Sequence, residues 1–175
     1  YTAGKESLEL IYNNAKELQK HGIACVEQTI NCERNEIQMP YMKNPTLINY
    51  LKVQFQNNTD KVEAVFDALY EKIQQSSEQV PFEVCNLKGD GISKEEFGIV
   101  LKKAYIDMIP YNCFYVDGQI LFYDQEFVKE NCPAKYVLFR ALRYTYIYIP
   151  EAESRIPLQY FKDRYQLNNL WNIFE

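Results

Sequence analysis

Histidine is nearly missing from this chain: His21 is its one copy among 175 residues. A histidine-based metal site therefore has no supply of ligands. The five cysteines (Cys25, Cys32, Cys85, Cys113 and Cys132) are odd in number and irregular in spacing, and no Cys-x-x-Cys pair occurs. That pattern excludes the usual zinc modules and reads as reduced, small hydrophobic residues of a cytosolic protein. Lys and Arg form no basic stripe and the net charge is −5, so nucleic acid is not an expected partner. Long apolar runs are missing too. The longest, residues 136–150, is broken by Arg140 and Arg143 and is too short to span a bilayer. With no signal peptide ahead of Tyr1, the expected location is cytoplasmic. Asn57-Asn58-Thr59 matches a glycosylation sequon, but nothing else points to secretion.

What is abundant is apolar and aromatic. Hydrophobic residues make up 47% of the chain and there are 15 tyrosines. That is enough to bury the core of one domain. Residues 5–20 read as an amphipathic helix with Leu8, Ile11, Ala15 and Leu18 on one face, stopped by His21-Gly22. His21 there complements the helix dipole. Residues 23–30 and 36–42 read as two strands of a hairpin around a polar turn at 31–35. A short helix follows Thr46, and residues 61–75 form a clear helix with Val62, Val65, Phe66, Leu69 and Ile73 on one face. Ser93 and Glu96 form a capping box at another helix start. Residues 113–116 and 119–123 are strands around Asp117-Gly118, a strong hairpin turn. A long aromatic helix runs from residue 134 to about 149, and a last one begins near Pro157-Leu158. The order predicts an α+β fold, mostly helical toward the C-terminus.

The stretch with chemistry is Tyr105-Ile106-Asp107-Met108-Ile109-Pro110-Tyr111-Asn112, followed by the hairpin that ends Tyr123-Asp124-Gln125-Glu126. An Asp and an Asn stand five apart on a proline-containing loop, and a tight hairpin returns a second Asp to the same place. Phosphoryl transfer needs such a set. One carboxylate takes the proton of the attacking hydroxyl, while an amide oxygen and a second carboxylate hold magnesium on the phosphates. Ordinary turn chemistry also places Asp and Asn in loops.

On these residues the chain resembles the aminoglycoside phosphotransferase and choline kinase branch of the protein-kinase-like fold. The resemblance implies Asp107 as the catalytic base and Asn112 and Asp124 as magnesium ligands. It makes residues 36–42 the last small-lobe strand and hinge, with Met39 and Tyr41 contacting the nucleotide. Residues 1–44 would be a small-lobe remnant with its helix, and residues 45–175 the large lobe, of one kinase-like domain. The run from Tyr123 to Glu126, with Pro133-Ala134-Lys135-Tyr136-Val137-Leu138-Phe139-Arg140-Ala141-Leu142, also looks like a C-terminal module of bacterial methyltransferases and glycosyltransferases of cell-surface polysaccharide synthesis. That likeness implies a domain excised from a larger transferase. The upstream domain of that parent would be its partner, and a sugar hydroxyl or similar small alcohol its acceptor. ATP and magnesium would be its cofactors. S-adenosylmethionine would belong to the parent alone, since no glycine-rich loop for it occurs here.

The pattern departs from that family in three places. No glycine-rich phosphate loop precedes Lys5, and a strand with the nucleotide-anchoring Lys would lie upstream of Tyr1. Tyr105 stands where a His is usual. Weak nucleotide binding, or none, is therefore expected, and a non-catalytic scaffold on the same fold is the alternative reading. A third is an unrelated α+β domain in which Asp107, Asn112 and Asp124 stay apart. Residues 90–97 suggest a calcium loop, but Lys88 and Phe97 would fall where carboxylates are needed. Arg140 is expected to pair with Asp124 or Glu126, or to cap a buried carbonyl. The Tyr144-Thr145-Tyr146-Ile147-Tyr148 run reads as a helix packed on both faces, with a sugar-binding platform as the other option. Lys135 and Lys162 read as solvated charges.

Overall fold

The computed structural model describes residues 2–31, 33–87, 89 and 91–175. Cys32, Lys88 and Asp90 lie outside the described residues, and with them part of the calcium-loop reading and one of the five cysteines. The chain is α+β. Helix α1 (Thr2–Lys20) ends where Gly22 takes φ +75°. Its buried face includes Ala15 and Leu18, as the 3.6-residue period predicts.

The first strand pair is shorter than the alternation suggested. β1 (Thr29–Asn31) pairs antiparallel with β2 (Glu36–Gln38) only. Residues 24–26 instead join another sheet. The Val26 amide donates to the Phe122 carbonyl and the Phe122 amide to the Ala24 carbonyl, both at 2.9 Å. Helices α2 (Leu47–Asn57) and α3 (Thr59–Gln75) follow, longer than predicted and separated by Asn58 alone. Asn58 is extended and its side-chain oxygen accepts from the Lys61 amide, which caps α3.

β3 (Gln79–Val80), β4 (Val100–Tyr105) and β7 (Val128–Pro133) form an antiparallel sheet in the order β3-β4-β7. Between them lie α4 (Lys94–Phe97), opened by the predicted Ser93–Glu96 capping box, and the hairpin of β5 (Cys113–Val116) and β6 (Gln119–Phe122). The hairpin's edges are covered. Residues 24–26 run beside β6, and the Tyr115 amide donates to the Pro45 carbonyl at 3.1 Å beside β5.

Asp117 (φ 48°) and Gly118 (φ 82°) make the two-residue turn in the left-handed region. A Cβ on Gly118 would meet no atom within 4 Å, so only backbone strain opposes a side chain there. Gly118→Ala should therefore cost about 1 kcal/mol in denaturant unfolding. A neutral substitution would mean that the turn relaxes.

Helix α5 (Ala134–Tyr148), α6 (Leu158–Arg164) and α7 (Asn168–Phe174) complete the chain. The core is built from Leu51 and Phe55 of α2, Phe66 and Leu69 of α3, and Leu138 and Leu142 of α5, with Phe161 and Leu170 closing it. Two charges behave differently from expectation. Lys135 is buried and its Nζ donates to the Glu96 carbonyl at 2.7 Å, at the end of α4. Lys162 lies 4.4 Å over the Trp171 ring. Among the described cysteines, Cys85, Cys113 and Cys132 are buried. Burial pushes the Cys25 and Cys132 thiols up to about 12, which leaves them protonated and inert. No helix among the described residues is long and apolar enough to cross a membrane.

Candidate functional site: a carboxylate cluster at the end of a hairpin

The loop after β4 carries Asp107, and Pro110 opens a single 3-10 turn, Pro110–Asn112, that leads straight into β5. Cys113 pairs with Phe122 in the hairpin register, and the Tyr123 amide donates to the Asn112 carbonyl at 3.0 Å. Asn112 and Asp124 therefore sit at the same open end of the hairpin. Asp124 itself has φ 54°, which turns the chain sharply there.

The turn drives Gln125 inward. Gln125 is 1% exposed, and its Nε2 donates to the Asp107 carbonyl at 3.0 Å and the Tyr123 carbonyl at 2.8 Å. The next residues then run alongside Asp107. The Phe127 amide donates to Asp107 Oδ2 at 2.9 Å, and the Ile106 amide donates to the Phe127 carbonyl at 3.1 Å. These bonds draw together the loop and the hairpin end, segments nearly twenty residues apart in the chain. Asn14 of α1 locks them from behind: it is buried, and its Nδ2 donates to the Gln125 carbonyl at 2.8 Å and the Glu126 carbonyl at 3.2 Å.

Arg140 of α5 completes the site. Its Nε donates to the Ile106 carbonyl at 2.9 Å, and its Nη2 stands 3.6 Å from Asp107 Oδ1. Of the two expectations for Arg140, the capped carbonyl is found. Its carboxylate partner is Asp107, however, rather than Asp124 or Glu126, because α5 packs over the Asp107 loop.

The electrostatics follow from this crowding. Burial pushes the Asp107 carboxyl above the usual carboxylate range; the Phe127 amide and Arg140 pull it back, and Asp124 and Glu126 push it further up. Partial desolvation, with Glu126 nearby, also raises Asp124. Three carboxylates thus share a small region in which Arg140 is engaged with only one of them. The Asp124 carboxylate and the Asn112 amide make no side-chain hydrogen bond among the described residues.

A cleft of about 270 Å³ opens beside Asp124. Leu8 and Ile11 of α1 form one wall, Ile37 and Met39 another, and Tyr123 and Asp124 the floor. Gln28 also lines it. Gln28 is 5% exposed, its Nε2 lies 4.0 Å from Met39 Sδ, and its Oε1 has no hydrogen-bond partner among the described residues. Met39 thus stands at the cleft, whereas Tyr41 is 88% exposed and does not line it.

Asn112 and Asp124 lie at the same end of the hairpin, Asp107 feels the charge of Asp124, and Met39 lines the cleft beside Asp124. Sequence reasoning missed Asn14, Gln28 and Gln125. Their roles depend on burial, which no local pattern in a polar amide reveals. The α1 acid Glu17 pairs with Lys103 of β4 at 2.8 Å, which ties this helix to the sheet.

Asn112 and Asp124 offer an amide oxygen and a carboxylate, both hard oxygen donors. Magnesium takes one or two hard oxygen ligands from protein and fills the rest with water and phosphate. Asp124 and Asn112 supply such a pair at one end of the hairpin. Among the described residues there is no cluster of three or more His, Cys, Asp or Glu side chains for a metal held by protein alone. No model of a known protein family matches the chain, and no curated protein matches it.

Proposed function

We propose that this chain is the kinase-like module of a bacterial cell-surface glycan-synthesis transferase, and that it transfers a phosphoryl group from ATP to a sugar hydroxyl. The observation that supports the reading is a cleft between α1 and the β1–β2 hairpin with Asp124 in its lining, the carboxylate whose charge Asp107 feels. In this reading Asp107 orients the acceptor hydroxyl and takes its proton. Asn112 and Asp124 would hold magnesium, which neutralises charge on the phosphates when bound. Gln28 and Met39 would contact the nucleotide base, Gln28 through its unpartnered Oε1. Gln125 and Asn14 are positioning residues. They hold the backbone of Asp107 and of the segment after Asp124 without touching substrate.

A second reading, a non-catalytic scaffold in the same parent, is favoured by one observation. Both Asp107 oxygens are engaged, one by the Phe127 amide and one by Arg140, and the residue is 8% exposed. A general base must give up one of those contacts to reach a hydroxyl.

Calorimetric titration with ATP and magnesium separates the two, on this chain and on a longer form that includes upstream residues. Phosphotransfer predicts magnesium-dependent binding that falls by at least about tenfold in Asp124→Asn, since the change removes one charge-assisted ligand. No binding by either form would leave the scaffold reading in place.

A further inference from the structure

Beside the carboxylate cluster lies a row of aromatic rings that nucleotide binding does not use. Tyr111 comes from the turn that closes the Asp107 loop, and Tyr144 and Tyr148 are one helical turn apart on α5. The Tyr111 and Tyr148 rings are stacked, with centroids 5.0 Å apart and planes 12° from parallel. Tyr148 and Tyr144 continue the stack at 6.5 Å and 24°. The Arg140 guanidinium lies 5.2 Å over the Tyr144 ring while its Nη2 faces Asp107. The row therefore runs from Asp107 through Arg140, Tyr144 and Tyr148 and returns to the Asp107 loop at Tyr111.

Tyr144 is partly buried against the core, but the other two rings stand out from it. Tyr111 is 50% exposed and Tyr148 49%, whereas Tyr146 on the same helix turns inward and its hydroxyl donates to the Ile156 carbonyl. Helix α5 thus packs on one face and leaves an aromatic face open. The row is also held in place. The Tyr123 hydroxyl donates to the Tyr111 carbonyl at 2.8 Å, so the residue before Asp124 fixes the backbone that carries the Tyr111 ring. Rigid, parallel, half-exposed rings with phenolic edges suit a ligand that has both an apolar face and a polar rim.

A pyranose ring is such a ligand. One of its faces presents C–H bonds to a π cloud, and hydroxyls surround its edge. A hydrocarbon tail would leave the phenols and Arg140 unmatched, and a nucleobase carries no hydroxyl for Asp107 to receive. We propose that Tyr111, Tyr148 and Tyr144 form the acceptor platform, which seats a sugar ring of a glycan next to Asp107. The proposal names the acceptor side of the phosphotransfer reading and rests on it for the chemistry, though not for the binding.

The test is saturation-transfer NMR on the whole chain with methyl α-mannopyranoside, methyl β-glucopyranoside and methyl β-galactopyranoside. Transfer to the ring protons of at least one glycoside is expected, weakened by roughly tenfold in affinity in Tyr148→Ala and in Tyr111→Ala. Tyr111→Phe, which keeps the ring, should bind within about twofold of the wild type. Unaltered thermal unfolding of the exposed-site variants excludes misfolding as the cause. The platform is overturned if no glycoside binds the wild type, or if the alanine variants bind as well as it does. It is also overturned if ATP rather than a glycoside loses affinity in Tyr148→Ala. Glycoside binding without any magnesium-dependent ATP binding would keep the platform and remove the phosphotransfer reading.

Discussion

Arg140→Met is expected to destabilise the protein by about 2–3 kcal/mol at neutral pH. The change leaves Asp107 buried without its cation and the Ile106 carbonyl without its Nε donor. The figure is set below that for a fully buried pair because the arginine side chain is 21% exposed and the contact is 3.6 Å. The loss should depend on pH in a defined direction. The Asp107 carboxyl sits above its ordinary pKa in the fold, chiefly through burial. Between the ordinary and the raised value the folded protein holds a proton that the unfolded chain has released. Stability therefore falls as pH rises through that window. Removing Arg140 raises the carboxyl further and extends the window upward, so the deficit of the variant should be larger at neutral than at acidic pH. In an Asp107→Asn background, Arg140→Met should cost markedly less, because no buried charge is left behind. Urea unfolding at both pH values measures this. A deficit that is equal at the two pH values and in both backgrounds would show that the pair carries none of it.

The largest effect is expected one residue earlier, at Phe139. Its side chain is 2% exposed and packs edge-on against Trp171 at 4.7 Å and against Phe174 at 5.7 Å. Phe139→Ala removes a ring that joins α5 to α7 and should cost about 3–5 kcal/mol, the range for large aromatic truncations in cores. For a chain of this size that is roughly 10 °C in Tm. Trp171 is the only tryptophan in the sequence, so its fluorescence reports on the contact directly. Its emission should shift to the red in the variant before global unfolding, as α7 loosens. Phe139→Leu should recover most of the loss, because volume is largely kept. An unshifted emission in Phe139→Ala would mean that α7 docks by other contacts. The result bears on the site as well: Phe139 and Arg140 are successive residues, one anchoring α5 to α7 and the next meeting Asp107.

Local signals in the chain announce much of this. The 3.6-residue stripes of α1 and α3, the extent of α5, the Ser93–Glu96 capping box and the Asp117-Gly118 turn all lie where the pattern places them, since each depends on neighbours within a few residues. The spacing of Asn112 and Asp124 sets both at one end of the hairpin, because a two-residue hairpin must return its last residue beside its first. β4 and β7 escaped notice. Lys102 and Lys103 interrupt one and Lys129, Glu130 and Asn131 the other, and they become strands by pairing with each other, and β4 with β3, across about twenty intervening residues. The strand predicted at 23–30 divides because residues 24–26 find a partner in β6 that no local alternation could indicate.

By itself the amino-acid sequence determined the α+β class, the main helices, the tight hairpin and the residue types at its open end. All of these follow from short-range periodicity, capping and turn geometry. Only the tertiary structure decided how those residues are wired. It buried Gln125 and Asn14 behind the site, set Arg140 against Asp107 rather than Asp124, left Gln28 Oε1 unpartnered in a cleft, and stacked Tyr111 on Tyr148. The physical reason is that charge pairing, desolvation and ring stacking act between groups a few ångströms apart in space. Which distant segments come that close is settled by how helices and sheet pack around a shared core.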